Sequence, residues 1–308
     1  MSDQAFEVPE EEFDQRPPRV ADASKLIEVG DRTWILPDHE RTPHVPNVGF
    51  VVGERSVLVV ESGMGIANGE RVLEIGRDLG EGRPLFLTAS HFHPEHGLGA
   101  QPFVGEATII LNARQREELF EKCRGYVELF STFTPAIAEA LEGVELVPPD
   151  VVYTGELRLD LGGRIVELSE RGDGHTRGDQ VVVVPDERVI FAGDLVEERF
   201  FAILPDEDSD GDVWIRRLIE IEALDSEVLV PGHGALGGVE LSRAARGSLE
   251  EIRDRALALH AEGADSEDVA TAVEAEQLER YADWGNRDWI RPAALSFLRS
   301  AGPTAALA

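Results

Sequence analysis

Six residues, His91-Phe92-His93-Pro94-Glu95-His96, constrain this chain more than any other stretch. They place three imidazoles and a carboxylate directly after Pro84-Leu85-Phe86-Leu87-Thr88-Ala89-Ser90, an apolar run that reads as a buried strand. Imidazole is the commonest protein ligand for borderline divalent metals. Side chains two apart on extended backbone share a face, so His91 and His93 can point the same way at the strand end, and Pro94 with the small residues of Gly97-Leu98-Gly99-Ala100 suits a curled loop there. Isolated histidines are usually surface or satisfied core residues. Three of them beside a strand end are better read as a metal loop.

The remaining pattern supplies the sheet that such a loop needs. Leu26–Val29, Thr33–Leu36, Asn47–Val52 and Ser56–Glu61 read as strands, and Asn68–Leu79 as an amphipathic helix. Ala107–Leu111 is a further strand, and Asn112 with Gln115 marks a helix start that runs through Glu121. Helical pattern resumes at Tyr126–Phe130 and Pro135–Leu141. Its aromatic residues, Phe120, Tyr126, Phe130 and Phe133, read either as core or as the apolar wall of a pocket. Val144–Val147, Val151–Tyr153, Glu156–Leu161 and Arg164–Leu168 are expected strands, the last two joined by a Gly162-Gly163 hairpin turn. Gln180–Val184, Val189–Ala192 and Val228–Val230 complete the strands, with a helix over Gly211–Leu224. Residues 239–308 carry only helical pattern: Leu241–His260, a helix that Ser266 is expected to cap, and a segment from Trp284 to Leu298.

Composition narrows the class. A chain of 308 residues with 42% hydrophobic residues can bury a full core. No run reaches the length of a membrane span, and the acidic N-terminus lacks the apolar stretch of a secretory signal, so a cytoplasmic location is expected. The single cysteine, Cys123, excludes an internal disulfide and a cysteine-built zinc site; it reads as a small apolar helix residue. The net charge of −31, with Lys25 and Lys122 the two lysines, repels phosphate backbones and anionic membranes. The expected partner is a small-molecule substrate, with no nucleic acid and no membrane. That acidity fits a salt-adapted host and a GC-rich genome equally.

Three more candidate ligands, His175, Asp194 and His233, each flank a strand and each have an adjacent glycine. With these in view the chain resembles the metallo-β-lactamase-fold hydrolases. Their His-x-His-x-Asp-His motif stands here as His91-Phe92-His93-Pro94-Glu95-His96. Gly174-His175-Thr176 with Gly178-Asp179, Phe191-Ala192-Gly193-Asp194 and Pro231-Gly232-His233-Gly234 match the later motifs. The resemblance covers roughly residues 25–240. It implies an α/β (α+β) fold, the αβ/βα four-layer sandwich, with residues 1–24 as a flexible acidic lead and 241–308 as C-terminal helices that pack on the same domain and offer a dimer surface.

The resemblance also implies the site. His91, His93 and His175 would bind one metal; Glu95, His96 and His233 a second; Asp194 would bridge them. Two zinc ions are expected, with iron or manganese acceptable to the same donors. A metal-bound hydroxide would attack an ester, thioester, lactone or related substrate, with Asp194 and Glu95 the candidate catalytic carboxylates. Glu95 stands where the commonest motif has aspartate. Its extra methylene leaves three outcomes: ligation of the second metal, which is favoured, a hydrogen bond to the attacking water, or a weakened second site. Two other functions stay open: a mononuclear iron sulfur-oxygenase on the same fold, and a metal-stabilised interaction module without turnover. Thr176 and Asp179 read as turn or supporting residues, Glu61 as support for the metal ligands, and His39 and His44 as loop residues near the mouth of the site.

Overall fold

Val57–Val60 shows how the layers arise, because every residue of it is buried. Side chains alternate along a strand, so a fully buried strand must be covered on both faces. Val57 and Val59 join one hydrophobic cluster and Leu58 and Val60 another. The same division recurs at Val181 and Val182, at Ile190 and Phe191, and at Leu229 and Val230. Two sheets therefore share one inner core, and each carries helices outside it.

The computed structural model describes residues 18–42, 44–204 and 208–301. In chain order these form β1 (Ile27–Gly30), β2 (Thr33–Leu36), β3 (Val48–Val52), β4 (Val57–Val60), α1 (Gly65–Gly80), β5 (Leu85–Thr88), the single-turn α2 (Pro94–Gly97), β6 (Ala107–Asn112), α3 (Ala113–Glu121), α4 (Cys123–Phe130), α5 (Pro135–Ala140) and β7 (Val151–Tyr153). There follow β8 (Glu156–Asp160), β9 (Ile165–Glu170), β10 (Gln180–Val184), β11 (Val189–Gly193), α6 (Gly211–Glu222), β12 (Val228–Pro231), α7 (Val239–Ala261), α8 (Ser266–Arg280) and α9 (Ile290–Ala301).

The first sheet runs β1 to β7 in sequence order, and the second runs β12-β11-β10-β9-β8. β4, β5, β6 and β7 are parallel neighbours, as are β11 and β12; the other pairs are antiparallel. Val72, Leu73 and Ile75 of α1 cover the outer face of the first sheet. Trp214 and Leu218 of α6, Leu249 and Ile252 of α7, Val273 of α8 and Phe297 of α9 cover the second. This is a mixed α/β sandwich of the expected class.

Particular expectations fared differently. Gly162 and Gly163 both have positive φ, at 90° and 67°, as a two-residue hairpin turn requires, and Asp160 pairs with Ile165 across it. The Asn112 side chain caps α3 by accepting from Gln115 N at 2.8 Å. Val144–Val147 is not a strand: it runs as the connection from α5 to β7, and Val144 and Leu146 pack against the cluster formed by α3, α4 and α5 instead of joining a ladder. Asp265 rather than Ser266 caps α8, accepting from Asp268 N at 2.9 Å. Most of the acidic lead, residues 1–17, lies outside the described residues. Its end is tied down, with Ala21 buried and its N–H donating to Asn68 Oδ1 at 2.9 Å. No described helix is long and apolar enough to cross a membrane.

Candidate metal centre

All the candidate ligands emerge along one edge of the sandwich. His91 follows β5, Asp194 follows β11, His233 follows β12, and His175 lies in the turn between β9 and β10. Because β11 and β12 run parallel, Asp194 and His233 leave the sheet side by side. Loops beyond the carboxyl ends of parallel strands are where such folds collect functional groups. The approach is close. A Cβ on Gly232 would lie 1.9 Å from Asp194 Oδ1, and one on Gly193 would lie 2.4 Å from Ser90 Cβ. Glycine at these positions lets the loops meet.

Two groups result. His91, His93, His175 and Asp194 form one and Glu95, His96, Asp194 and His233 the other; in each, one potential ligand atom per residue lies within 4.8 Å of the rest. Asp194 divides its carboxylate between them. Its Oδ2 lies 3.7 Å from both His91 Nε2 and His175 Nε2. Its Oδ1 lies 3.3 Å from His96 Nε2 and 3.6 Å from His233 Nε2. All seven residues are buried.

Neighbouring groups turn the imidazoles inward. His175 Nδ1 meets Ile203 O, His233 Nδ1 meets Val45 O, and His91 Nδ1 meets Ser90 Oγ, each at 2.9 Å. A carbonyl accepts only from N–H, so His175 and His233 hold the Nδ1–H tautomer and present Nε2 lone pairs to the site. His96 Nδ1 lies 3.4 Å from Glu61 Oε1, too poorly aligned for a hydrogen bond. Glu61 also accepts from Ser90 N, so it ties β4 to the metal loop. Asp179 folds the His175 turn by accepting from His175 N, Thr176 N and Thr176 Oγ1. Burial nevertheless pushes its carboxyl up to about 8, against the hydrogen bonds from Thr176.

The electrostatics suit cation binding. Burial holds His91 and His93 well below the usual imidazole range, and lowers His175 too. Burial alone would raise Asp194, but His96, His233 and His91 hold its carboxyl well below the ordinary value. Burial likewise opposes ionisation of Glu95, yet its contacts with His44, His96 and His93 bring it down to about 2.

Several inward atoms have no hydrogen-bond partner: His91 Nε2, His96 Nε2, Glu95 Oε2 and Asp194 Oδ1. Leaving such buried polar atoms unpaired costs about 1–3 kcal/mol each. Divalent cations would satisfy them together. His175 Nε2 and His93 Nδ1 lie 3.0 Å apart, near the roughly 3.4 Å between two nitrogens on one tetrahedral zinc. The donor set therefore fits metal ions.

The sequence profile described as the Metallo-beta-lactamase superfamily matches residues 41–233, well over half of the chain. The chain belongs to the metallo-beta-lactamase superfamily. A metallo-beta-lactamase type 2 from Bacteroides fragilis is 29% identical over 96 residues, which span 30% of this chain and 39% of that protein. A metallo-beta-lactamase from Pontibacter korlensis superposes with a TM-score of 0.56 at 17% identity, covering 72% of this chain and 98% of its own. A double mutant of the sec-alkyl sulfatase PisA1 superposes with a TM-score of 0.66 at 16% identity, covering 91% of this chain and 50% of its own. That coverage is more than residues 1–240 could supply, so it takes in part of the C-terminal helices. At these identities the two structures establish the fold. Membership of the metallo-beta-lactamase superfamily supports metal-dependent hydrolysis as the general activity, and the His/Asp cluster supports metal binding.

Every ligand candidate from the sequence thus reaches one of the two groups, including Glu95. His39 is exposed and belongs to neither group. Cys123 is buried in the cluster with Phe92 and Leu119, and burial pushes its thiol up to about 12, so it is an unreactive apolar residue. Sequence reasoning assigned no site role to Asn47 or Glu197, and left Tyr126 between core and pocket wall. Asn47 Nδ2 donates to Pro231 O and Gly234 O, bracing the His233 turn. Tyr126 stacks on His93, with ring centroids 4.7 Å apart. Glu197 is buried, and burial together with the charge of Asp194 raises its carboxyl well above the usual range. Its position just beyond Gly193-Asp194 was the available signal.

Proposed function

We propose that this chain is a hydrolase with two zinc positions that share Asp194, acting on an uncharged ester, thioester or lactone. The split of the Asp194 carboxylate, one oxygen facing His91 and His175 and the other facing His96 and His233, carries the reading. Zinc ions bound there would lower the pKa of a shared water and polarise the scissile carbonyl. In this reading His91, His93 and His175 hold one ion, Glu95, His96 and His233 the other, and Asp194 supplies charge to both. Ser90, Ile203 and Val45 keep the imidazoles of His91, His175 and His233 oriented, Glu61 ties the metal loop to β4, and burial excludes bulk water.

Two features support an uncharged substrate. Half-buried Tyr126, Phe133 and His44 give the site an aromatic margin. The nearby cations already have anionic partners: Lys122 has Glu118 and Asp208, Arg177 has Glu121 and Asp208, and Arg199 has Glu198 and Asp283. The net charge of −31 further disfavours anionic substrates. The second group counts against a mononuclear iron oxygenase, which has no use for it.

The test is elemental analysis of protein purified without chelator, followed by assay on neutral aryl esters, thioesters and lactones beside sulfate and phosphate esters. Two zinc equivalents are expected, with turnover of a neutral acyl substrate that Asp194→Asn abolishes. Iron with oxygen uptake would replace this reading. Turnover confined to the anionic esters would refute the substrate class.

A further inference from the structure

His44 lies in the connection between β2 and β3, outside every motif that marks the site. Its Nδ1 nevertheless stands 3.9 Å from Glu95 Oε1. That is longer than a hydrogen bond but close for two polar groups with little solvent around them, their side chains being 19% and 7% exposed. The ring is held from outside. It stacks on Phe133 at 5.2 Å and 23° and packs against Phe130 at 4.9 Å and 58°. The His44 backbone has φ of 60°, a left-handed conformation that non-glycine residues seldom adopt. Such conformations persist where the surroundings enforce them, often beside functional groups.

We propose that His44 is a positioning residue for Glu95, turning one carboxylate oxygen outward so that the other faces the second metal position. The inference rests on the two-metal reading. Glu95 Oε2 is the oxygen left buried without a hydrogen-bond partner, while Oε1 is the one facing His44. A glutamate has one more side-chain torsion than aspartate, so it loses more rotamer freedom when it ligates. A fixed imidazole against the distal oxygen restricts that torsion before metal arrives. An aspartate at this position would fall short of His44 by about one C–C bond, roughly 1.5 Å. His44 and Glu95 thus form a matched pair, and the α4–α5 segment takes part because Phe130 and Phe133 fix the imidazole.

The experiment is competition between the full-length zinc-loaded protein and a chromogenic zinc chelator, which reads two stepwise affinities. His44→Phe keeps an aromatic ring between Phe130 and Phe133 but removes the nitrogen. His44→Asn suits the left-handed backbone but cannot reach Glu95 in the same way. Both are expected to weaken the second zinc ten- to hundredfold, the usual cost of losing an outer partner of a ligand, and to leave the first unchanged. In a Glu95→Gln background His44→Phe is expected to add nothing, because its effect runs through the carboxylate. Unchanged affinities in the single variants, equal weakening of both zincs, or a further loss in the double variant would each overturn the inference while the two-metal reading stands. A wild-type protein that binds one zinc would overturn both.

Discussion

Replacing Asn47 by alanine tests whether the site is held by ties between sheets as well as by its ligands. Asn47 is 2% exposed. Its Nδ2 donates to Pro231 O at 2.8 Å and to Gly234 O at 3.0 Å, and its Oδ1 accepts from Asp38 N at 2.7 Å. Asn47→Ala removes all three bonds and leaves buried backbone groups unpaired, at about 1–3 kcal/mol each. Water entering the small void would recover part of this, so a loss of about 3–5 kcal/mol is expected. That corresponds to a fall in Tm on the order of 10 °C. The loss should also be local. His233 lies between the two freed carbonyls, so the second metal group loosens before His91, His93 and His175. The assay is urea denaturation of the metal-loaded protein alongside elemental analysis after dialysis. A variant within about 1 kcal/mol of wild type that keeps its metal ratio would refute the reasoning.

Two other outcomes follow from the same geometry. Gly232→Ala would place a Cβ 1.9 Å from Asp194 Oδ1. The carboxylate must then shift by about 1 Å, which should cost on the order of 100-fold in turnover and lower both metal affinities, read by assay and chelator competition. The two metal positions should also separate by pH. His91 and His93 are held neutral by burial, whereas at His96 the carboxylates of Asp194 and Glu61 outweigh burial and raise the imidazole well above its usual range. A proton on His96 competes with the second ion, so affinity there rises with pH through the His96 titration. Acidification should release the second metal before the first, followed by metal content at stepped pH; simultaneous release would contradict this.

Much of the architecture was legible in the sequence because it is local. Continuous apolar runs such as Val57–Val60 and Gln180–Val184 mark strands covered on both faces, and Gly162-Gly163 marks a turn that needs positive φ twice. The ligand types and their strand-end positions were legible for the same reason. Val144–Val147 misled because strand propensity does not say whether a segment joins a ladder, and here Val144 and Leu146 pack on the cluster of α3, α4 and α5 instead.

Tertiary structure alone decided how these pieces meet. The parallel pairing of β11 with β12 brings Asp194 beside His233, and the stacking of two sheets brings both to the loop after β5. Asn47 reaches Pro231 and Gly234, and His44 reaches Glu95, across sequence distances that no motif spans. Their side chains have no distinctive neighbours in the chain. They acquire a role only when burial deprives their polar atoms of water and leaves another loop's carbonyls or carboxylate as the available partners.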